Sequence, residues 1–174
     1  MTKDAWRGGG GRVFATALRL VRLFVTGCLV LLVLSGLGCS AAAGKVRSAF
    51  GGKLPLDVTI VPGANDDSAV AVDFVVVYTD KLLDDLLKVP AREWFASKKA
   101  GFLADHPGEL EVESREWVPG QSVAPLAIPY RSGAKKVVVF ADYHSGGEHR
   151  AVMPPQQASH ILLGENDLKV EAQP

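Results

Sequence analysis

Hydrophobic and polar residues follow three different patterns along the 174-residue chain. Residues 23–39 carry no charge and are mostly aliphatic. From residue 55 onward, short stretches rich in valine, leucine and isoleucine alternate with turn residues, and one segment between residues 80 and 100 follows a helical period. The pattern therefore divides the chain into an apolar N-terminal region and one domain built mainly of β-strands.

The two strongest strand signals lie at residues 70–78 and 136–143, which are rich in β-branched residues and almost uninterrupted. Such apolar density predicts central strands that are either covered on both faces or flanked by paired strands. Asp73 interrupts the first of them, and we interpret it as a bulge or an end of the sheet. Alternation predicts half-exposed strands at 56–61 and 109–118, and further short strands are predicted at 123–128, 150–153, 160–163 and 168–171.

The helical segment has one apolar face, formed by Leu82, Leu83, Leu86 and Leu87. We expect Pro90 to end this first helix and to open a second one at 91–100, with Gly101 as its terminator. Trp94 and Phe95 are predicted to point toward the core, and the leucine face is expected to cover an edge or open end of the sheets. Short strands with one helical insertion after the second predict a mainly β fold, a β-sandwich.

The N-terminal region has the organisation of a bacterial export signal. One acid, Asp4, stands among five basic residues before the apolar run, namely Lys3, Arg7, Arg12, Arg19 and Arg22. The uncharged run is shorter than the roughly 20 residues that a membrane-spanning helix needs. An uncleaved single-span anchor remains the alternative to cleavage.

The end of the apolar run, Gly36-Leu37-Gly38-Cys39, resembles the lipobox of bacterial lipoproteins. This resemblance implies cleavage before Cys39 and attachment of lipid to its thiol. Cys28, which follows Val-Thr-Gly, fits the short pattern better than Cys39, but we exclude it because Arg19 and Arg22 fall within the apolar zone that such a site requires. The predicted organisation is a signal peptide at 1–38, a lipidated N-terminus and flexible tether at 39–54, and a β-sandwich domain at 55–174.

Charge and cysteine content limit the function of the exported part. From residue 39 onward the chain has 14 Lys or Arg and 18 Asp or Glu, a net charge of −4, so nucleic acid is not an expected partner. If Cys28 is removed and Cys39 is acylated, no cysteine is left for a disulfide. The 136 residues suffice for one domain.

No recognised catalytic spacing occurs in the sequence, and we predict neither an enzyme nor a cofactor, metal ion or small-molecule substrate. His144, Glu148 and His149 share one glycine-rich turn, which we interpret as a solvated hairpin rather than a metal site. Clustering of histidines with acids in the folded chain would revive the enzyme hypothesis.

The order of these features resembles the TssJ/SciN family, the outer-membrane lipoproteins of type VI secretion systems. The resemblance rests on a first strand, the loop 63–68, a valine-rich strand ending in Tyr78, the helical segment, the turn 119–121 and a late strand leading to His149-Arg150. It implies a transthyretin-like β-sandwich.

The resemblance also implies a mechanical function. Such a lipoprotein sits in the inner leaflet of the outer membrane, faces the periplasm, and docks an inner-membrane subunit, TssM, to build the envelope-spanning complex. The family's partner loop corresponds here to Asn65, Asp66, Asp67 and Ser68. The alternative from another class is an envelope lipoprotein whose β-sandwich binds a small ligand or a peptide.

Overall fold

The computed structural model describes residues 51–173. The signal peptide, Cys39 and most of the predicted tether lie outside the described residues. Eight strands occur in this part of the chain: β1 Gly52–Ile60, β2 Val70–Val77, β3 Leu110–Trp117, β4 Leu126–Tyr130, β5 Lys136–Ala141, β6 Arg150–Met153, β7 Ser159–Leu163 and β8 Leu168–Ala172. Three short helices, α1 Asp80–Leu86, α2 Ala91–Glu93 and α3 Lys99–Asp105, lie between β2 and β3, and a π-helical turn, Trp94–Lys98, joins α2 to α3.

The strands form two four-stranded sheets that pack face to face. The first sheet has the order β4-β1-β7-β8, and the second has the order β3-β2-β5-β6. All pairs are antiparallel except β1 with β7, which is parallel. The predicted β-sandwich with a helical insertion after the second strand is therefore confirmed.

The main core lies between the two sheets and follows the alternation of the sequence. In β1, the side chains of Leu54, Leu56, Val58 and Ile60 are buried while their neighbours are exposed. Because β1 begins at Gly52, residues 52–54 belong to the sandwich, and the tether boundary predicted at residue 54 was placed too late. The early start of β1 could not be predicted from the sequence, because Gly52 and Lys53 are not part of an apolar pattern.

The second sheet is covered on both faces, which explains the apolar density of its two central strands, β2 and β5. Its outer face carries Val75, Val77, Val138 and Phe140, and these pack under the helices against Leu82, Leu86 and Trp94. The Trp94 indole stacks on the Phe140 ring at 4.8 Å between centroids. The helices thus cover a sheet face, and the expectation that they cover an edge or open end was wrong.

The second helix runs past its predicted terminator. Gly101 lies inside α3, which continues to Asp105. Aromatic packing explains the continuation. The ring of Phe102 in α3 lies 5.9 Å from the Trp94 ring, measured between centroids, and this packing outweighs the modest cost of a glycine inside a helix.

Asp73 marks neither a bulge nor an end of the sheet. It pairs in mid-strand with Ser114 of β3 and Phe140 of β5, and it is 1% exposed on the outer face under the helices. Its Oδ2 atom accepts hydrogen bonds from Trp94 Nε1 and Lys99 Nζ, both at 2.8 Å. A buried carboxylate is tolerated here because two donors from the helical insertion satisfy it.

Strand β4 is displaced from its predicted position at 123–128. It begins at Leu126, after Pro125, and continues through Pro129 to Tyr130. Pro129 is accommodated because β4 is an edge strand, where a missing backbone donor breaks no ladder bond. Within residues 51–173, no helix is long and apolar enough to cross a bilayer.

Candidate partner-binding surface

Three loops meet at the end of the sandwich that lies opposite the start of β1. They are residues 61–69 between β1 and β2, 142–149 between β5 and β6, and 164–167 between β7 and β8, and we call them the distal loops. The strand registers place them together, since Ile60 pairs with Leu163 and Val72 pairs with Ala141 at this end. Gly52 pairs with Tyr130 at the other end.

Asn65 joins the three distal loops. Its side chain is 2% exposed, and Nδ2 donates to the carbonyls of Ala69 and Asp142 at 3.0 and 3.3 Å. Oδ1 accepts from the backbone nitrogen of His144 at 2.6 Å, and the backbone nitrogen of Asn65 donates to the Glu165 carbonyl at 2.9 Å. Of the predicted partner-loop residues, Asn65 therefore holds the loops in place from inside.

Asp66 and Asp67 are exposed at the tip of the first loop. Asn65, Asp66 and Asp67 have φ angles of 51°, 55° and 58°, which lie in the left-handed region that Asn and Asp tolerate better than most residues. Ser68 is half-buried, and its backbone nitrogen donates to the Asn65 carbonyl at 3.0 Å. The loop thus presents two carboxylates on a backbone fixed from below.

His149 ties the second loop to the third. The imidazole is 4% exposed, with Nδ1 3.0 Å from Asp167 Oδ1 and Nε2 3.0 Å from the Ser145 carbonyl. Ser145 Oγ donates to the Asn166 carbonyl at 2.9 Å. Tyr143 packs against the His149 ring, and its hydroxyl donates to the Gly164 carbonyl at 3.1 Å.

Burial of the Tyr143 phenol raises its pKa, and the neighbouring Asp167 carboxylate adds to the shift. Tyr143 is thus neutral at physiological pH and keeps its proton for the bond to Gly164.

Ser145, His149 and Asp167 stand in the order of a nucleophile, a base and an acid, so the histidine clustering that would revive the enzyme hypothesis does occur here. The hydrogen bonds argue for a structural role. Ser145 Oγ is 3.4 Å from His149 Nε2, farther than its 2.9 Å bond to Asn166, so its proton is directed away from the imidazole. A nucleophile needs the opposite arrangement. Among residues 51–173, no three His, Cys, Asp or Glu residues are placed to hold a metal ion.

The distal loops carry an excess of acid. Their exposed acidic side chains are Asp66, Asp67, Glu148, Glu165 and Asp167. Arg150 pairs with Glu148, and Arg92 donates to the His144 carbonyl at 2.8 Å. Glu165 and Asp167 were not predicted from the sequence, because their proximity to the first loop depends on the parallel pairing of β1 with β7.

A second concave feature lies along the edges of β3 and β4. This groove of about 380 Å³ has an apolar wall that includes Val76 and Ile128, and Arg131 stands at its rim. Arg131 donates to Glu111 Oε1 at 2.5 Å and lies over the Tyr78 ring at 4.1 Å. This groove is the feature that best suits the alternative function, binding of a small ligand or a peptide.

Comparison with known proteins places the fold. No protein-family model matches the sequence, and no curated protein sequence matches it significantly. Among solved structures, the chain is similar to Serratia marcescens Lip, a membrane-bound component of the type VI secretion system, with 15% identity and a TM-score of 0.56 over 71% of this chain and 99% of that one. It is also similar to the type VI lipoprotein TssJ1 from Pseudomonas aeruginosa, with 16% identity and a TM-score of 0.53 over 71% and 98% of the two chains.

Two further similar chains come from structures described as a type VI membrane complex and as the TssM C-terminal domain from EAEC. Identities are 19% and 18%, TM-scores are 0.54 and 0.52, and each match covers 68% of this chain and 97% of the other. Residues 51–173 thus have the transthyretin-like β-sandwich fold of the TssJ lipoproteins of type VI secretion systems.

Proposed function

We propose that this chain is a TssJ-like lipoprotein of a type VI secretion membrane complex, and that its distal loops bind the periplasmic C-terminal domain of a TssM-like subunit. The observation that carries the proposal is the fold match, which spans 97% or more of four solved chains described as components of that machine. The function is one of attachment, without catalysis.

The position of the distal loops supports this role. The chain enters the sandwich at Gly52, and the distal loops lie at the opposite end. Loops held at the end of a rigid scaffold are a common location for recognition.

The proposed lipid anchor suits a protein that is pulled away from its membrane. Processing at Cys39 attaches more than one acyl chain, and each buried methylene contributes roughly 0.8 kcal/mol to membrane binding. We place the acylated residue in the inner leaflet of the outer membrane and the domain in the periplasm. The chain would then connect that membrane to a subunit held in the inner membrane.

A binding measurement tests the proposal. The detergent-extracted full chain is captured on a surface, and the periplasmic C-terminal domain of the TssM subunit from the same organism is passed over it. We expect saturable binding with one-to-one stoichiometry. No saturable binding at micromolar concentrations, with the captured chain folded by circular dichroism, would refute the proposed partner and favour the ligand-binding alternative at the β3–β4 groove.

A further inference from the structure

A groove formed partly by the distal loops has an apolar part surrounded by charged residues. Its volume is about 400 Å³, and it lies between the end of β1 and the β7–β8 hairpin. Val61 and Leu162 are half-buried and form its apolar part, while Glu165, Asp167 and Lys169 are exposed around it.

Hydrogen bonds within the chain fix the walls of this groove in the absence of a binding partner. Val61 donates its backbone N–H to the Leu163 carbonyl at 3.0 Å, and Asn65 donates to the Glu165 carbonyl at 2.9 Å. On the hairpin, the backbone nitrogen of Leu168 donates to Asp167 Oδ1 at 2.8 Å. A preformed groove lowers the conformational cost of binding.

The charge around the groove is not neutralised within the domain. Two carboxylates, Glu165 and Asp167, and one base, Lys169, line the groove. Among residues 51–173, Glu165 forms no salt bridge, and Asp167 contacts His149. Aliphatic groups flanked by more acid than base complement an aliphatic side chain that has basic neighbours.

We propose that the groove receives an aliphatic side chain of the partner, from a segment in which lysine or arginine flanks that residue. This inference rests on the proposed function and names the chemistry by which the partner is recognised. A few side chains buried in pockets near the centre of an interface contribute most of the binding energy, while charges at the rim set orientation and association rate.

The test uses methyl NMR on the full chain in detergent, with three acetylated and amidated peptides. Lys-Leu-Lys-Leu-Lys carries both features, Glu-Leu-Glu-Leu-Glu reverses the charge, and Lys-Ser-Lys-Ser-Lys removes the aliphatic groups. We expect the first peptide to shift the Val61 and Leu162 methyl signals saturably, and the other two to leave them unchanged. Equal shifts from both lysine peptides, or no shift from the first, would overturn the proposal whether or not TssM binds.

A pair of variants extends the test to the whole partner. Leu162→Gln places a polar group in the groove, and Leu103→Gln makes the same change at a leucine that is 43% exposed in α3. Where the wild-type chain binds the TssM domain, we expect Leu162→Gln to weaken binding about tenfold or more and Leu103→Gln to leave it unchanged. If the two variants bind with equal affinity, the groove does not receive a side chain of the partner, although the proposed partner itself stands.

Discussion

The side-chain oxygen of Asn65 accepts a hydrogen bond of 2.6 Å from the backbone nitrogen of His144, which lies 79 positions further along the chain. The bond connects two loops that extend from different strands at the same end of the sandwich. With the bonds from Asn65 Nδ2, it makes the shape of one loop depend on the other.

Asn65→Ala should therefore loosen the distal loops while the sheets stay intact. The change leaves the His144 N–H and two part-buried carbonyls without their partner and places alanine in the left-handed region, and we expect a loss of about 1–3 kcal/mol in the free energy of unfolding. Urea denaturation measures the loss, and amide exchange should rise in residues 61–69 and 142–149. Asn166→Ala is the control at an exposed asparagine, and an Asn65→Ala variant as stable as that control would contradict the role assigned to Asn65.

Charge reversal at the tip of the first loop should slow capture of the TssM domain. For Asp66→Lys with Asp67→Lys we expect a lower association rate and a weaker dependence of that rate on salt, because exposed rim charges steer encounter. Asp66→Asn with Asp67→Asn tolerates the left-handed backbone and should show a smaller change in the same direction.

The matched control is Asp84→Lys with Asp105→Lys, which reverses two exposed charges in the helical insertion. Surface-capture kinetics at low and high salt compare the variants. If both reversals slow association equally, net charge rather than the loop is responsible, and the loop assignment fails.

The buried carboxylate under the helices should stabilise the domain. Asp73→Ala removes the acceptor of Trp94 Nε1 and the partner of Lys99, and we expect the free energy of unfolding to fall by about 1–3 kcal/mol. The Lys99 ammonium is one-third exposed and can return to water, which keeps the loss below that of a fully buried pair. Thermal unfolding measures the effect against Asp84→Ala, and equal melting temperatures would be inconsistent with this contact.

Alkaline pH should destabilise the domain through Tyr143. Because the folded pKa of Tyr143 lies above its ordinary value of 10.0, its contribution to stability is complete below pH 10.0 and is lost as pH rises above that value. The unfolded chain then releases a proton that the folded chain retains. Tyr143→Phe should reduce the decline measured by urea denaturation between neutral and alkaline pH, and an unchanged decline would exclude Tyr143 as its source.

Cys39→Ser should abolish lipid attachment. We expect the wild-type chain, extracted from membranes, to have the intact mass of residues 39–174 plus acyl chains, and the variant to keep residues 1–38 or to appear free of the membrane. A wild-type mass that includes residues 1–38 without acyl groups would instead support the uncleaved anchor.

The parts of the fold that sequence predicts are those with a local signal. The β-branched runs of β2 and β5 indicated central strands because both faces of the second sheet are covered, and the leucine spacing of α1 indicated its buried face. The prediction for Asp73 was wrong and the prediction for Asn65 was incomplete, because the residues that they contact are distant in the sequence. Trp94 and Lys99 reach Asp73 from the helical insertion, and Asp142 is 77 positions beyond Asn65.

The candidate surface shows the same division. Turn chemistry identifies residues 65–68 as a loop, but the inward direction of Asn65 and the participation of Glu165 and Asp167 depend on the pairing of β1 with β7. Parallel pairing of strands so far apart has no signature in either strand. The groove lined by Val61 and Leu162 was missed for that reason.

Site-specific photo-crosslinking in intact cells tests the central claim most directly. A photoreactive residue replaces Asp66 in one full-length chain and Asp105, at the C-terminal end of α3, in a second. After irradiation, the first chain should form a covalent product with the TssM subunit, identified by mass spectrometry, and the second should not. A TssM product from position 105 with none from position 66, at equal expression, would contradict docking through the distal loops.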